Sequence, residues 1–272
     1  MTGGGPTAGF DAGRYGPWAV VAGGSEGVGA RFAHRLAEAG LNLVLVARKP
    51  GPLDETASAC RSLGVEVRTV AVDLTDADAL STIRKQTDGL EVGLLVYNAG
   101  ANSYGHEFVT GDLDRFRTVI DLNITAQLTL VQHFGAAMRE RRRGGILLVG
   151  SMAGFLGKAQ IGIYAAAKAF ARVFAEGLWL ELREYDVDVL ELVLGVTRTP
   201  AMERAGLALD LPGMHVSDPD DVARQGLANL ANGPVVVAKG HEKLVELQNG
   251  PDRRALVLGA HRAAQRLLPP AD

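Results

Sequence analysis

Short apolar runs recur along this chain. Each is followed by a turn-rich segment and then by residues whose apolar positions repeat every three or four places. Runs at 18–22, 41–47, 66–72, 92–97, 146–149, 187–193 and 235–238 have the length and composition of buried strands. Residues 30–39, 53–63, 112–138, 160–185 and 218–231 carry the helical period, the last opened by Ser217 or Asp218 with Pro219 at its start. Strands that alternate with helices predict an α/β fold, a doubly wound parallel sheet of about seven strands flanked by helices in a single domain.

The expected organisation is a flexible glycine-rich tail over 1–16, a main unit over 17–240, and short surface helices of the same domain over 241–272, where Arg253, Arg254, Arg262 and Arg266 lie. Residues 196–217 follow the sixth strand as an apolar but irregular segment with Met202, Leu207, Leu209, Leu211 and Met214, which reads as a substrate lid. The 160–185 helix is apolar on more than one face and so wants burial on several sides. One face suits the sheet and another a second subunit, predicting a homodimer or homotetramer.

Composition narrows the function classes. A chain of 272 residues that is 47% hydrophobic buries a large core, and its net charge of -3 provides no basic footprint for nucleic acid. The single Cys60 excludes an internal disulfide framework and suits a reducing compartment. The first 17 residues lack the basic and apolar regions of a signal peptide, and no apolar run approaches the roughly 18 residues that span a bilayer. A soluble, cytoplasmic protein acting on a small molecule, without membrane or nucleic-acid partners, is expected. No Cys/His cluster has metal spacing; His34 and His133 read as structural, and the charges at 139–143 as a solvated helix end.

Two stretches carry chemistry. The strand at 18–22 ends in Gly23-Gly24-Ser25-Glu26-Gly27-Val28-Gly29 before a helix. Glycines there let the backbone turn tightly and approach a pyrophosphate, which free N–H groups at the helix N-terminus attract. The spacing is G-x-x-x-G-x-G on Gly23, Gly27 and Gly29. The second strand ends in Arg48 and Lys49, where an acid would accept the ribose hydroxyls of NAD; two cations there suit a 2′-phosphate, so NADP is preferred and NAD remains possible. Asp73 and Leu74 end the third strand, where Asp73 either meets an adenine edge or caps the next helix, and Asn98-Ala99-Gly100 ends the fourth.

The second stretch runs from Gly150 to Lys168. Tyr164 and Lys168 stand four residues apart on one helix face, and an ammonium beside a phenol favours the phenolate, making a proton-transfer unit. Ser151, at a strand end, can return to the same point and hydrogen-bond a substrate oxygen. Asn123 is an amide inside an apolar helix face that must find partners near Lys168.

Taken together, these residues resemble the short-chain dehydrogenase/reductase family in its single-domain branch, over about residues 17–240. The resemblance implies a nicotinamide cofactor, Tyr164 as general acid/base, Ser151 as the group that orients the carbonyl or alcohol, Lys168 on the nicotinamide ribose, and Asn123 supporting a proton-relaying water. It extends the cofactor-binding set to Gly195, Thr197 and Thr199. Three positions depart from the family pattern: Glu26 in the turn, where a carboxylate opposes a 2′-phosphate, Leu194 in place of a proline, and Thr197 in place of an aliphatic residue. The leading expectation is hydride transfer between NADP(H) and a secondary alcohol or largely apolar ketone. The substrate would lie against Met152, Phe155, Leu156, Met202 and residues 102–106. A cofactor-binding regulatory or scaffolding protein, and an epimerase or dehydratase on the same scaffold, are the alternatives.

Overall fold

The computed structural model describes residues 9–204, 209 and 214–267. Leu207 and Leu211 of the expected lid lie outside them. The core is one sheet of seven parallel strands in the order β3-β2-β1-β4-β5-β6-β7. The strands are β1 (Trp18–Ala22), β2 (Asn42–Ala47), β3 (Val67–Ala71), β4 (Val92–Tyr97), β5 (Gly144–Ser151), β6 (Val187–Leu194) and β7 (Val235–Val237). β1, β2 and β4 are almost wholly buried, as parallel strands covered on both faces must be.

The chain first forms α1 (Ala12–Tyr15), then winds α2 (Gly27–Glu38) and α3 (Pro50–Arg61) around β1 to β3. α4 (Ala79–Thr87) leads to β4, after which α5 (Leu113–Ile120) and α6 (Ala126–Arg141) flank a single wide turn at Asp121–Thr125. α7 (Gly162–Leu182), α8 (Pro200–Arg204), α9 (Pro219–Ala228), α10 (Glu242–Gln248) and α11 (Arg253–Leu267) complete the order. One apolar layer packs α2 and α9 on the sheet through Phe32, Leu36, Val222 and Leu227; the other packs α6 and α7 through Leu130, Phe134, Ala175 and Leu182.

Strand order reverses between β1 and β4. Crossovers leave this junction in opposite directions, opening a crevice at the strands' carboxyl ends where ligands of such sheets bind.

Several expectations are corrected. Residues 9–16, expected within a flexible tail, instead include α1, capped by Asp11 and anchored by Tyr15, which is buried against the sheet. Arg14 and the Tyr15 hydroxyl both donate to Asp188 on β6 at 2.7 Å. The segment after β6 is not simply a loop: it contains α8, and a backbone bridge joins Thr197 to Ser217. The C-terminal region holds α11 of 15 residues rather than only short helices. Asp218 caps α9, accepting from the backbone of Asp220 and Asp221.

Candidate active site

Gly23 leaves β1 with φ of +82°, a left-handed conformation that suits glycine, and a Cβ there would stand 2.7 Å from the Ala99 backbone nitrogen. The turn is pinned across the crevice: Asn98 Nδ2 donates to Gly23 O at 2.9 Å, and the Ala99 N–H donates to Ala22 O at 2.8 Å. Gly29, in the first turn of α2, lies so close to the strand end that a Cβ would sit 1.9 Å from Gly23 O. The N-terminus of α2 thereby points its free N–H groups into the crevice.

The resulting cleft, of about 330 Å³, is lined by most of the residues singled out from sequence. They are Gly23, Ser25, Glu26, Gly27, Val28, Arg48, Lys49, Leu74, Asn98, Ala99, Gly100, Ser151, Tyr164, Lys168, Gly195, Thr197, Thr199 and Met202. Gly29 acts from behind, by its packing. Asp73 is not in the lining; it accepts from the Thr75 backbone and hydroxyl at 3.0 and 2.8 Å and from Arg48 at 3.3 Å. Partial burial works to raise the Asp73 carboxyl, but Thr75 and Arg48 outweigh it and hold the group below its ordinary range. It therefore turns the chain and steadies Arg48, and it does not cap α4, whose N-cap is Asp78.

At the other end of the cleft, Ser151 closes β5 and its Oγ accepts from the Ala153 N–H at 3.1 Å. That bond occupies a lone pair and leaves the hydroxyl proton for another acceptor. α7 comes close to this strand end because Gly154 has no side chain: a Cβ there would stand 2.8 Å from the Lys168 backbone. Lys168 is 5% exposed, its Nζ donates to Val149 O at 3.0 Å and lies 5.8 Å from the centre of the Tyr164 ring.

Asn123 sits in the wide turn between α5 and α6, outside the lining but beside it. Its Nδ2 donates to Val119 O at 2.9 Å and Ala101 O at 3.1 Å, while the buried Oδ1 has no protein partner among the described residues. A Cβ at Gly100 would meet that Oδ1 at 2.8 Å and Lys168 Nζ at 2.9 Å. The glycine thus leaves room where an amide oxygen and an ammonium face one spot. Wide turns of this kind, in which Tyr97 also donates to Leu122 O, are often found at functional sites.

The loop after β6 is seated from below. The His241 ring occupies the space a Gly195 Cβ would need, 2.1 Å from it, and its Nε2 lies 3.1 Å from Ser217 Oγ. Burial, with His215 beside it, lowers the His241 imidazole below its ordinary range. Thr199 packs on Gly27, where a Cβ would meet it at 3.1 Å, and so bridges the two sides of the cleft.

Met152 is misplaced by the sequence reading. It is buried with Phe155, Val193 and Val245 beneath the cleft, because the short turn after Ser151 folds inward, and neither Phe155 nor Leu156 lines the cleft. Residues 102–106 also stay outside it: Tyr104 stacks on His106 and tilts onto Phe116. A separate depression of about 420 Å³ lies nearby, lined by His106, Phe108, Val109, Phe116 and Ile163 among others. Two residues that sequence reasoning passed over stand at the site. Arg204 of α8 pairs with Glu26. Glu191 lies beneath the site in β6, a charged residue among Leu190, Leu192 and Val193, a visible signal left unread.

The short chain dehydrogenase family model matches residues 17–208. A 7beta-hydroxysteroid dehydrogenase of Clostridium sardiniense is 30% identical over 247 residues, 90% of this chain and 94% of its own. A human very-long-chain 3-oxoacyl-CoA reductase is 32% identical over 227 residues, 82% of this chain and 73% of its own. A short-chain dehydrogenase from Sphingobium yanoikuyae, solved in complex with NADPH, superposes with a TM-score of 0.75 at 30% identity, covering 94% of this chain and 98% of its own. With more than half of its length matched by one family and its strand order that of a dinucleotide-binding sheet, the chain belongs to the short-chain dehydrogenase family of oxidoreductases.

Proposed function

We propose that this protein transfers hydride between NADP(H) and a secondary alcohol or largely apolar ketone, with Tyr164 as its general acid/base. The observation that carries the reading is the meeting of Ser151, Tyr164 and Lys168 with the glycine turn in one cleft.

The residues fit a dinucleotide. The α2 N-terminus with Gly23, Ser25, Gly27 and Val28 would hold the diphosphate, and Leu74 and Ala99 the adenosine side. Arg48 and Lys49 would take a 2′-phosphate, and Lys168 the nicotinamide ribose. Gly195, Thr197 and Thr199 would border the carboxamide. When bound, the reduced nicotinamide supplies the hydride that the substrate carbon accepts.

The chain's own part is position and proton. Ser151, with a lone pair engaged by Ala153, donates its hydroxyl proton to the substrate oxygen and polarises it. Tyr164 gives that oxygen a proton during reduction and takes one during oxidation. Lys168 sets its ammonium 5.8 Å from the centre of the Tyr164 ring, where it holds the phenol and the cofactor ribose in one place. Asn123 Oδ1 and Lys168 Nζ face the space over Gly100 and would hold a water that returns the proton.

An apolar substrate is supported by the second depression, whose Phe108, Val109, Phe116 and Ile163 lie next to the start of α7. It is also in keeping with the names of the hydroxysteroid and long-chain oxoacyl relatives. Exposed Phe170, Val173 and Leu180 on α7 support assembly through that helix into a dimer or tetramer. The buried free Cys60 suits a cytoplasmic address, and no described helix is long and apolar enough to cross a membrane.

Purified protein incubated with NADPH or NADH and a panel of ketones tests the reading. Loss of the reduced-nicotinamide absorbance with ketone present is the expected result. Conversion with no net cofactor change would favour an epimerase or dehydratase, and binding without conversion a regulatory protein.

A further inference from the structure

Glu191 lies within β6, opposite Leu148 of β5 and Val235 of β7. It is 1% exposed, and neither carboxyl oxygen has a hydrogen-bond partner among the described residues. Ionised carboxylates avoid such burial unless they are paired. Its side chain occupies the space over Gly150: a Cβ there would stand 2.4 Å from Glu191 Oε1. Gly150 lies between Val149, whose carbonyl holds Lys168, and Ser151. The carboxyl therefore lies directly beneath the floor of the candidate active site.

The charged groups acting on it all come from α7. Lys168 and Arg172 favour its ionisation, and Glu176 opposes it. Its strand neighbours Leu148, Gly150 and Val235 carry no charge. Arg172, whose guanidinium lies 4.8 Å over the Phe155 ring, has a buried Nε that is likewise without a partner. Its terminal nitrogen reaches Glu176 of the same helix at 3.5 Å, so Arg172 makes no hydrogen bond to the Glu191 carboxyl.

We propose that Glu191 is a positioning residue that sets the charge behind Lys168. Neutral, it leaves the whole field of the ammonium on the Tyr164 phenol. Ionised, it draws part of that field to itself and weakens the phenol as a proton-transfer group. The change moves one proton between the carboxyl and solvent and alters no bond of the substrate. Burial pushes the carboxyl up to about 7 against the pull of Lys168 and Arg172, so the change falls near neutrality. This inference rests on the assignment of Tyr164 and Lys168 above.

The test is the pH profile of kcat/KM for alcohol oxidation in wild type, E191Q and E191D, together with an infrared pH titration of the same proteins without substrate. Wild type should show an inflection near neutrality. E191Q should lack it, match wild type on its acid side, and exceed wild type by roughly two- to fivefold at pH 8. The infrared spectrum should show a protonated-carboxyl band that disappears over the same range and is missing from E191Q. A profile unchanged by E191Q, or a wild type with no such band, overturns the proposal. If E191Q does not fold, E191D carries the comparison: a displaced inflection supports the proposal and an unmoved one overturns it. If no alcohol or ketone is turned over at all, the oxidoreductase reading fails separately. The infrared titration then decides: a titrating band missing from E191Q supports a neutral carboxyl behind Lys168, and its absence from wild type overturns it.

Discussion

Glu26 and Arg204, 178 positions apart, are joined by two N–H···O contacts that tie the glycine turn to α8. The Arg204 guanidinium holds the Glu26 carboxyl below its ordinary range against partial burial, with Lys49 adding to the pull. A carboxylate that would repel a 2′-phosphate is thereby neutralised from the far side of the cleft. Substituting Arg204→Ala should uncover it and weaken NADP(H) by roughly three- to tenfold more than NAD(H). The double variant E26Q/R204A should recover most of the difference. Fluorescence titration with both cofactors checks this, and an equal loss of both would count against it.

Arg48 lies at the end of β2, held by Asp73 at 3.3 Å and still largely exposed toward the cleft mouth. Arg48→Ala is expected to lower NADP(H) affinity about tenfold while changing NAD(H) by less than about twofold, the signature of one lost phosphate contact. Parallel dissociation constants for the two cofactors make the comparison.

Gly29 leaves no room for a methyl group, since the obstacle is the Gly23 backbone carbonyl and not a movable side chain. Gly29→Ala should destabilise the fold by roughly 3 kcal/mol and reduce cofactor affinity at least about tenfold. Urea unfolding and cofactor titration measure the two effects. An alanine variant as stable as wild type would mean that α2 and β1 are further apart than described.

Glu191 also links stability to pH. Its carboxyl titrates near 7 in the folded protein and near the ordinary 4.5 when unfolded, so the unfolded chain releases the proton first as pH rises. Its contribution is full below about 4.5 and is lost through about 7. Relative to E191Q, wild type should lose on the order of 3 kcal/mol across that window and show no further divergence above it. Unfolding free energies at pH 5, 6, 7 and 8 give the comparison.

Much of this architecture was legible in the sequence because parallel strands buried on both faces must be continuously apolar, as at Val20, Leu45 and Leu95. The glycine turn and the Tyr164–Lys168 pair were legible because each depends on local backbone or helix geometry. What stayed hidden depends on distant partners. α1 exists because Arg14 and Tyr15 meet Asp188, and Glu26 is neutralised by a residue of α8. The inward fold of Met152 and the wide turn at Asn123 follow from packing that no local period records.

The most direct test of the central claim is ketone-dependent oxidation of NADPH by wild type and Tyr164→Phe. Removing the phenol hydroxyl removes the proposed proton donor and nothing from the glycine turn. The variant should lose about a thousandfold in kcat while binding NADPH within a few fold of wild type. A variant that reduced the ketone at a rate near that of wild type would contradict the assignment of Tyr164.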